Sequence, residues 1–573
     1  HLFRTPKERM QNNCDDDDND VVYKDIVIVG NGPSGISLSY MLAGNWPYYT
    51  GEPHPVDDML TARLHFTTKP FTNDEDVHES DETTRNKLDE DACPRRQCNN
   101  VPANDGLTRG RDLARSSRWK LETLSSGLEG RSGGRPLSLL MDQLQNPCVD
   151  AGLDVPSLLH WKSKDQHSEH KIIDHVVLGK GQPGGAWQSM DPNVLTISLS
   201  RWMSLPGLDL RQWEKLVETE QVQKSTLTNG DPCSHSPREK ISACKPASRV
   251  PVGTVAAYYR DYVTKQGLDK YFRCGTTVTS IRSIDSIGAN KDFGWIVEGY
   301  ENKTGKRFEY RCRRVVLATG TTDLSNHLGI PGEKSLSSWV IHDLNDLESR
   351  LDQFVNGLLD PVLVIGAGLS AADAIMAARF RGIPVLHIFR DSSNDWNKES
   401  SDKIKTNTFD KLQWLPSSIY PEYHKVYEMM ADGGTNYPLY KSLPGYTLVD
   451  LNINNDDCNS NQRNKHTVTL CTPNGQLKNF RVSVVAILIG YKPDLSYLEN
   501  NGIGFGKVSD KSIDCKSNPI EVDDITYEVL KSPKKGLYAL GPLVGDNFVR
   551  FILGGAFGIL AHILSTSIST DIF

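Results

Sequence analysis

The chain has 573 residues, 64 of them basic and 72 acidic, for a formal net charge of −8. That balance argues against a broad nucleic-acid surface and against a polybasic membrane anchor, since both need clustered positive charge. Eleven scattered cysteines without a CxxC pair argue against a disulfide scaffold and predict a reducing, cytoplasmic setting.

Taken in chain order, residues 1–20 carry the run Asp15–Asp18 and read as a solvated acidic tail. Asp25-Ile-Val-Ile-Val-Gly30 then predicts a strand that runs into Gly30-Asn31-Gly32-Pro33-Ser34-Gly35 and a helix over Ser34–Ala43. Strand, glycine-rich turn and helix together form a dinucleotide-binding fingerprint. Gly30 allows the tight turn, Gly32 lets the backbone approach a pyrophosphate, and Gly35 lets helix and strand pack closely. The helix N-terminus, with Pro33 and Ser34, offers unpaired N–H groups to the phosphates.

Residues 46–120 show little apolar periodicity and are expected to be a loop or disordered insertion; Thr72–Cys98 alone holds nine acids and four bases. Two further polar stretches run from about 221 to 248 and from 454 to 464. Strands are predicted at His175–Leu178, Arg314–Ala318, Pro361–Ile365, Val385–Phe389, Val482–Ile489 and Gly536–Leu540. Several are continuously apolar, as strands buried on both faces are, and helical patterns alternate with them, which implies an α/β fold with parallel sheets.

A second fingerprint, Gly366-Ala367-Gly368-Leu369-Ser370-Ala371, follows Val362–Ile365 and opens a helix predicted over Ser370–Arg379. The next strand ends at Arg390, where a guanidinium suits the 2′-phosphate of NADPH. Two such turns, the first near the N-terminus, imply FAD at the first and NADPH at the second. The expected order is an FAD-binding part over residues 21–345, an NADPH-binding part over 346–480, and an FAD-binding return over 481–573. Val315-Val-Leu-Ala-Thr-Gly320, with Thr319 and Gly320 at its end, resembles the crossing between two such domains. Val484–Gly490 resembles the return, with Leu-Ile-Gly in place of Ala-Thr-Gly. Gly536-Leu-Tyr-Ala-Leu-Gly541 followed by Asp546 resembles a closing FAD motif, in which an acid holds the ribityl chain. The apolar run Phe551–Leu564, about 14 residues, would be the helix after it and is shorter than the ~20 residues of a membrane span, so no transmembrane segment is expected.

Gly184-Gly185-Ala186-Trp187 resembles the GGxW element of class B flavin-dependent monooxygenases, as does Leu328-Gly-Ile-Pro-Gly-Glu333. The wording is closer still to the oxidative-stress-induced growth inhibitor family, through Ile28–Ile36, Gly127-Leu-Glu-Gly-Arg131 and His175–Trp187. Further matches are Arg201-Trp-Met-Ser-Leu-Pro206, Tyr258-Tyr-Arg-Asp-Tyr262, Tyr420-Pro-Glu-Tyr-His424 and Asp546-Asn-Phe-Val-Arg-Phe551. The resemblance implies an FAD- and NADPH-linked, monooxygenase-like protein tied to growth control and cell division, with molecular oxygen as co-substrate, an unidentified small-molecule substrate and regulatory protein partners. It also places Gly185 and Trp187 against the flavin.

Three departures stand out. No acid follows the strand His175–Leu178, where Gly179 and Lys180 stand. The fingerprint FxGxxxHxxxW/Y survives only as His342. Ser198 occupies the position of an Asn that helps hold activated oxygen, and is the candidate catalytic residue. Without HExxH, GxSxG or a Cys/His ligand cluster, the cofactors would carry the chemistry; His342 and His424 read as ordinary packed or surface histidines. Three functions compete: an active monooxygenase, a disulfide reductase, which the absent CxxC disfavours, and a regulatory protein on a retained flavin fold.

Overall fold

The computed structural model describes residues 21–67, 112–128, 134–228, 248–284, 293–354, 360–390, 412, 415–453 and 466–568. The expected acidic tail and the stretch 454–464 lie outside the described residues. The fold is mixed α/β, built on two sheets with parallel cores.

The first half of the chain runs β1 (Val21–Val29), α1 (Pro33–Leu42), β2 (Trp46–Tyr49), α2 (Asp58–Thr67), α3 (Arg118–Ser125), α4 (Pro136–Gln145), β3 (Leu159–Lys162), β4 (His175–Gly179), α5 (Leu210–Thr228), α6 (Val252–Lys265), β5 (Phe272–Cys274), β6 (Thr276–Ser283), β7 (Trp295–Glu301) and β8 (Arg307–Leu317). With β19 (Leu537–Ala539) from the far end of the chain, these strands make the larger sheet, ordered β5-β4-β1-β8-β7-β6, with β19 also on β8. β1 pairs parallel with β4 and β8, and β19 parallel with β8, whereas β6, β7 and β8 form an antiparallel meander. Ile26, Val27 and Ile28 are wholly buried, as the continuous apolar run requires of a strand covered on both faces.

After β9 (Leu324–Ser325) the chain passes through β10 (Val340–Ile341), α7 (Leu344–Leu351), β11 (Val362–Ile365), α8 (Leu369–Phe380), β12 (Val385–Phe389), α9 (Pro421–Asp432), β13 (Tyr440–Pro444), β14 (Thr447–Ile453), β15 (His466–Cys471), β16 (Leu477–Arg481), β17 (Val485–Ile487) and β18 (Tyr491–Lys492). The second sheet is wholly parallel, ordered β10-β17-β11-β12-β13, and β14–β16 form a small antiparallel sheet. The two connections between the main sheets pair with each other, β9 antiparallel to β18.

Part of the segment expected to be a loop insertion belongs to the core. Trp46 is fully buried and stacks on His170 at 4.2 Å, and β2 pairs antiparallel with β3. From α2 only Leu60 and Leu64 reach the core, and from α3 Leu121 and Leu124; two leucines per helix are too few for a period to stand out among the polar residues. Of this segment, residues 68–111 lie outside the described residues. The second polar stretch is helical at its start, because α5 continues to Thr228.

The last helix, α10 (Val549–Ile568), is longer than the apolar run suggested. Over Val549–Thr566 it is long and apolar enough to cross a membrane, but 78 % of that window is buried inside the protein, which accounts for its apolar character. Ser138 of α4 and the Ile525 carbonyl press on Gly554 and Gly558, so these glycines serve packing between protein elements. Arg550 ties α10 to α4: its guanidinium donates to Asp142 at 2.9 and 2.5 Å and to Asp150 at 3.0 and 2.9 Å, and lies 4.1 Å over the Trp202 ring. The Asp142 side chain is 1 % exposed, so removing its partner strands a buried charge. Arg550→Met is expected to cost about 3–5 kcal/mol in urea denaturation, and Asp142→Leu/Arg550→Met substantially less.

Candidate functional site

Both glycine turns are built alike. At the end of β1, Gly30 has φ +116°, and a Cβ there would lie 2.2 Å from the Ala318 carbonyl oxygen at the end of β8. At the end of β11, Gly366 has φ +134°, and a Cβ would lie 2.3 Å from the Leu488 carbonyl oxygen just beyond β17. Only glycine fits either place, for its positive φ and for the close backbone approach. One residue further into each turn the situation reverses. Gly32 and Gly368 are the N-caps of α1 and α8, with extended backbone, and nothing lies within 4 Å of a Cβ at either. Neither helix has an acid in its first turn or a side-chain cap, which leaves N–H groups and the positive dipole end for an anion.

The first turn opens on a cavity of about 680 Å³, within the ~300–1,000 Å³ usual for small-molecule sites. Of the sequence-predicted residues, Gly30, Gly32, Pro33, Ser34, Gly185, Trp187, Thr319, Gly320 and Asp546 line it. Gly35 does not; its Cα faces the Gly30 carbonyl, the packing role expected of it. Trp187 stands edge-on to Tyr259, with ring centroids 5.9 Å apart. Asp546 is 2 % exposed, and its Oδ2 accepts from the hydroxyls of Ser138 at 3.1 Å and Tyr527 at 2.9 Å. Burial pushes its carboxyl up to about 6, against the opposing field of Arg135. Ser198 is not among the lining residues.

At the second turn, Gly366, Ala367 and Ser370 are half-buried, Ala371 is buried and Gly368 is exposed. Arg390, one residue past β12, is exposed. A residue that sequence reasoning missed holds this turn: His387 of β12 is fully buried, donating through Nε2 to the Gly366 carbonyl at 2.6 Å and accepting at Nδ1 from the Tyr440 hydroxyl at 2.8 Å. Burial drives its imidazole down to about 4, so it is neutral near pH 7 and held in one tautomer. A lone histidine inside an apolar strand was the only signal.

At the end of β4, where no acid follows, Asn31 takes the space beside Gly179. Asn31 crosses that strand end and donates to the Gly181 carbonyl at 2.8 Å, and a Cβ on Gly179 would lie 2.1 Å from the Asn31 side chain. The acids at this end of the cavity come from the two connections: Lys180 pairs with Asp494 at 3.4 Å and Asp323 at 3.8 Å, and all three line the cavity. Burial raises the Asp323 carboxyl despite Lys180, whereas hydrogen bonding from Ser496 lowers that of Asp494. Each acid follows its connection's glycine within four residues, a spacing that means nothing until β9 and β18 are known to pair.

No family model matches the chain. Oxidative stress-induced growth inhibitor 2 of Homo sapiens is 34 % identical over 563 residues, covering 93 % of this chain and 92 % of that protein. Oxidative stress-induced growth inhibitor 1 of Homo sapiens is 36 % identical over 554 residues, covering 94 % of each. This chain belongs to the oxidative stress-induced growth inhibitor family. Over a shorter stretch, an FAD-dependent monooxygenase of Pyrenophora dematioidea is 28 % identical across 151 residues, 26 % of each chain. Among solved structures, an ornithine hydroxylase from Pseudomonas aeruginosa covers 96 % of this chain and 100 % of its own at 12 % identity, with a TM-score of 0.46.

The motifs through which the chain resembles the growth inhibitor family fit against one another. Tyr258, Tyr259 and Tyr262 donate to the carbonyls of Leu208, Met203 and Pro206, so the Tyr-Tyr-Arg-Asp-Tyr string pins the Arg-Trp-Met-Ser-Leu-Pro string. The Tyr420–His424 string forms a latch between the two sheets' surroundings. Arg249 donates to Glu422 at 2.5 Å and to the Thr196 carbonyl at 2.6 Å, and lies 4.6 Å over Tyr420, whose hydroxyl donates to the Ile197 carbonyl at 2.5 Å. Ser198 is the next residue on that pinned segment, and its carbonyl accepts from Thr196 Oγ1 at 2.7 Å. His424 stands outside the cavity, 3.8 Å from Glu428.

The latch also encloses Asp373 of α8. Burial raises its carboxyl to about 7; Tyr423 and Arg249 oppose that rise, and Glu422 and Asp191 add to it. A carboxyl raised in the folded state binds more protons folded than unfolded between about pH 4 and pH 7, so stability falls as pH rises through that window. Asp373→Asn is expected to flatten this fall, gaining on wild type by more than about 1 kcal/mol at pH 8 relative to pH 5 in urea denaturation.

Proposed function

We propose that the chain is a flavoprotein that holds FAD in the cavity at Gly30–Gly35 and NADPH at Gly366–Ala371, and acts as a monooxygenase. The observation that carries this reading is the doubled turn, with a glycine jammed against a neighbouring strand and a second glycine facing open space. The first turn fits FAD: the cavity has the volume, Gly32 leaves a diphosphate room, and the α1 N-terminus faces it uncapped. The name of the fungal relative, an FAD-dependent monooxygenase, agrees with it. When bound, the nicotinamide would supply hydride to the flavin, and the reduced flavin would activate dioxygen for transfer of one oxygen atom.

The residues of the chain bind and shield. Gly30, Gly32 and Ser34 approach the pyrophosphate, while Asn31 and the Lys180–Asp323–Asp494 group meet the adenosine end. Trp187, Thr319 and Gly320 wall the remainder, and the Asp546 carboxylate, fixed by Ser138 and Tyr527, faces the ribityl hydroxyls. His387 holds the Gly366 carbonyl so that the second turn keeps its shape, and Arg390 meets the 2′-phosphate. We carry to this chain the setting its relatives' name gives them, restraint of growth under oxidative stress, with regulatory protein partners and a cytoplasmic location.

The absorbance spectrum of purified protein tests the reading. Wild type is expected to be yellow with bound FAD, to bleach on NADPH and to recolour in air; Gly32→Trp is expected to lose the flavin while staying folded, because its indole would occupy the diphosphate path. Colourless wild type that oxidises no NADPH would leave a fold acting through protein partners alone, and flavin retained by Gly32→Trp would remove FAD from this cradle. Arg390→Ala is expected to lower the preference for NADPH over NADH about tenfold, read as the ratio of kcat/KM values.

A further inference from the structure

One cluster lies outside both cradles. The segment between β9 and β10 and the residue just after β10 bring His327, Glu333 and His342 together, with one potential ligand atom from each, all within 4.8 Å of one another. We propose that these three side chains form a binding site for a divalent transition-metal ion of the zinc class.

The crowding at one oxygen carries the argument. Glu333 Oε1 faces His342 Nε2 at 2.8 Å, His327 Nδ1 at 3.2 Å and the Leu328 N–H at 3.1 Å, while Oε2 accepts the Gly329 N–H at 2.8 Å. An oxygen with two lone pairs cannot serve three donors well. A cation resolves the conflict. Each neutral imidazole then turns a lone pair to the metal and carries its proton on the other ring nitrogen, and Oε1 keeps the metal and Leu328. Two imidazoles and a carboxylate are a zinc ligand set that leaves a fourth position for water.

The spacing is close to what such an ion needs. Ligand distances of about 2.0–2.2 Å place tetrahedral ligand atoms about 3.3–3.6 Å apart, and the two pairs given above lie at 2.8 and 3.2 Å, so the side chains need part by less than about one ångström. The carboxylate is held in place: the Glu333 side chain is 3 % exposed, and its two oxygens accept the backbone N–H groups of Leu328 and Gly329. The His327 side chain is 35 % exposed, which gives an entry path and a ligand free to shift. His342 also belongs to the joint between the sheets, since its carbonyl accepts from the Tyr491 hydroxyl of β18 at 3.3 Å. A bound ion would therefore stiffen the outgoing connection at a point where it already touches the returning one.

Cobalt titration of the metal-stripped full-length protein tests this, because its spectrum separates nitrogen and oxygen ligands from the chain's eleven cysteines. Wild type is expected to bind one Co²⁺ with visible d–d bands and no thiolate charge-transfer band, to release it to one equivalent of Zn²⁺, and to melt at a higher temperature with metal than without. His327→Ala, at an exposed position, is expected to keep the metal-free melting temperature and lose more than about 100-fold in affinity, since even outer-shell partners of a metal are worth about 10–100-fold. Glu333→Gln, close in shape, is expected to lose affinity likewise. Wild type that binds no Co²⁺ with such a spectrum, or a His327→Ala protein with wild-type affinity, would overturn the assignment. Neither result depends on whether FAD or NADPH binds.

Discussion

At the ends of β1 and β11 a backbone carbonyl of the neighbouring strand occupies the space a side chain would need. That contact lets each strand turn abruptly into its helix, and it brings the ends of β8 and β17 against the two turns. Since β8 and the stretch after β17 lead into the connections between the sheets, the same contact fixes where the chain leaves one sheet and where it returns. The cavity, the Lys180–Asp323–Asp494 group and the β9–β18 ladder follow from that placement.

The two halves differ in how they support their turns. The first is buried under α1, α4 and α10, with a charged pair, Asp142 and Arg550, set into the helix contact. The second is held from within its sheet by His387, a neutral imidazole bridging a turn carbonyl and a tyrosine hydroxyl. Between the halves, Arg249 reaches across to the ring faces and carboxylate of α9. Buried ion pairs of this kind add little net stability, but losing one partner leaves the other charge uncompensated and is costly.

Much of this was legible in the chain. Apolar strands running into glycine turns announce their own geometry, because only glycine tolerates both the positive φ at Gly30 and Gly366 and the close carbonyl. β12 was read to the residue for the same reason: it is short, apolar and bounded by polar residues. Reading failed where burial depends on partners distant in sequence. Trp46 and α2 looked like insertion because what covers them is distant in sequence: His170 lies 124 positions from Trp46, and α2 packs on α3, more than fifty positions further along the chain. The acids Asp323 and Asp494 were invisible because they reach the cavity only through the pairing of β9 with β18, and local sequence does not show that Ser198 sits on a pinned segment and not among the residues lining the cavity.

Local backbone chemistry is what the amino-acid sequence determined alone: two strand–turn–helix units, their order, and the motif strings that mark the family. Those depend on φ, on apolar run length and on residue size, all properties of neighbours along the chain. Tertiary structure alone decided which strings touch, where a missing acid is replaced, that an apolar helix of membrane-spanning length is covered by protein, and that two histidines converge on one carboxylate. Such outcomes rest on contacts between segments far apart in sequence, whose closure no local pattern encodes.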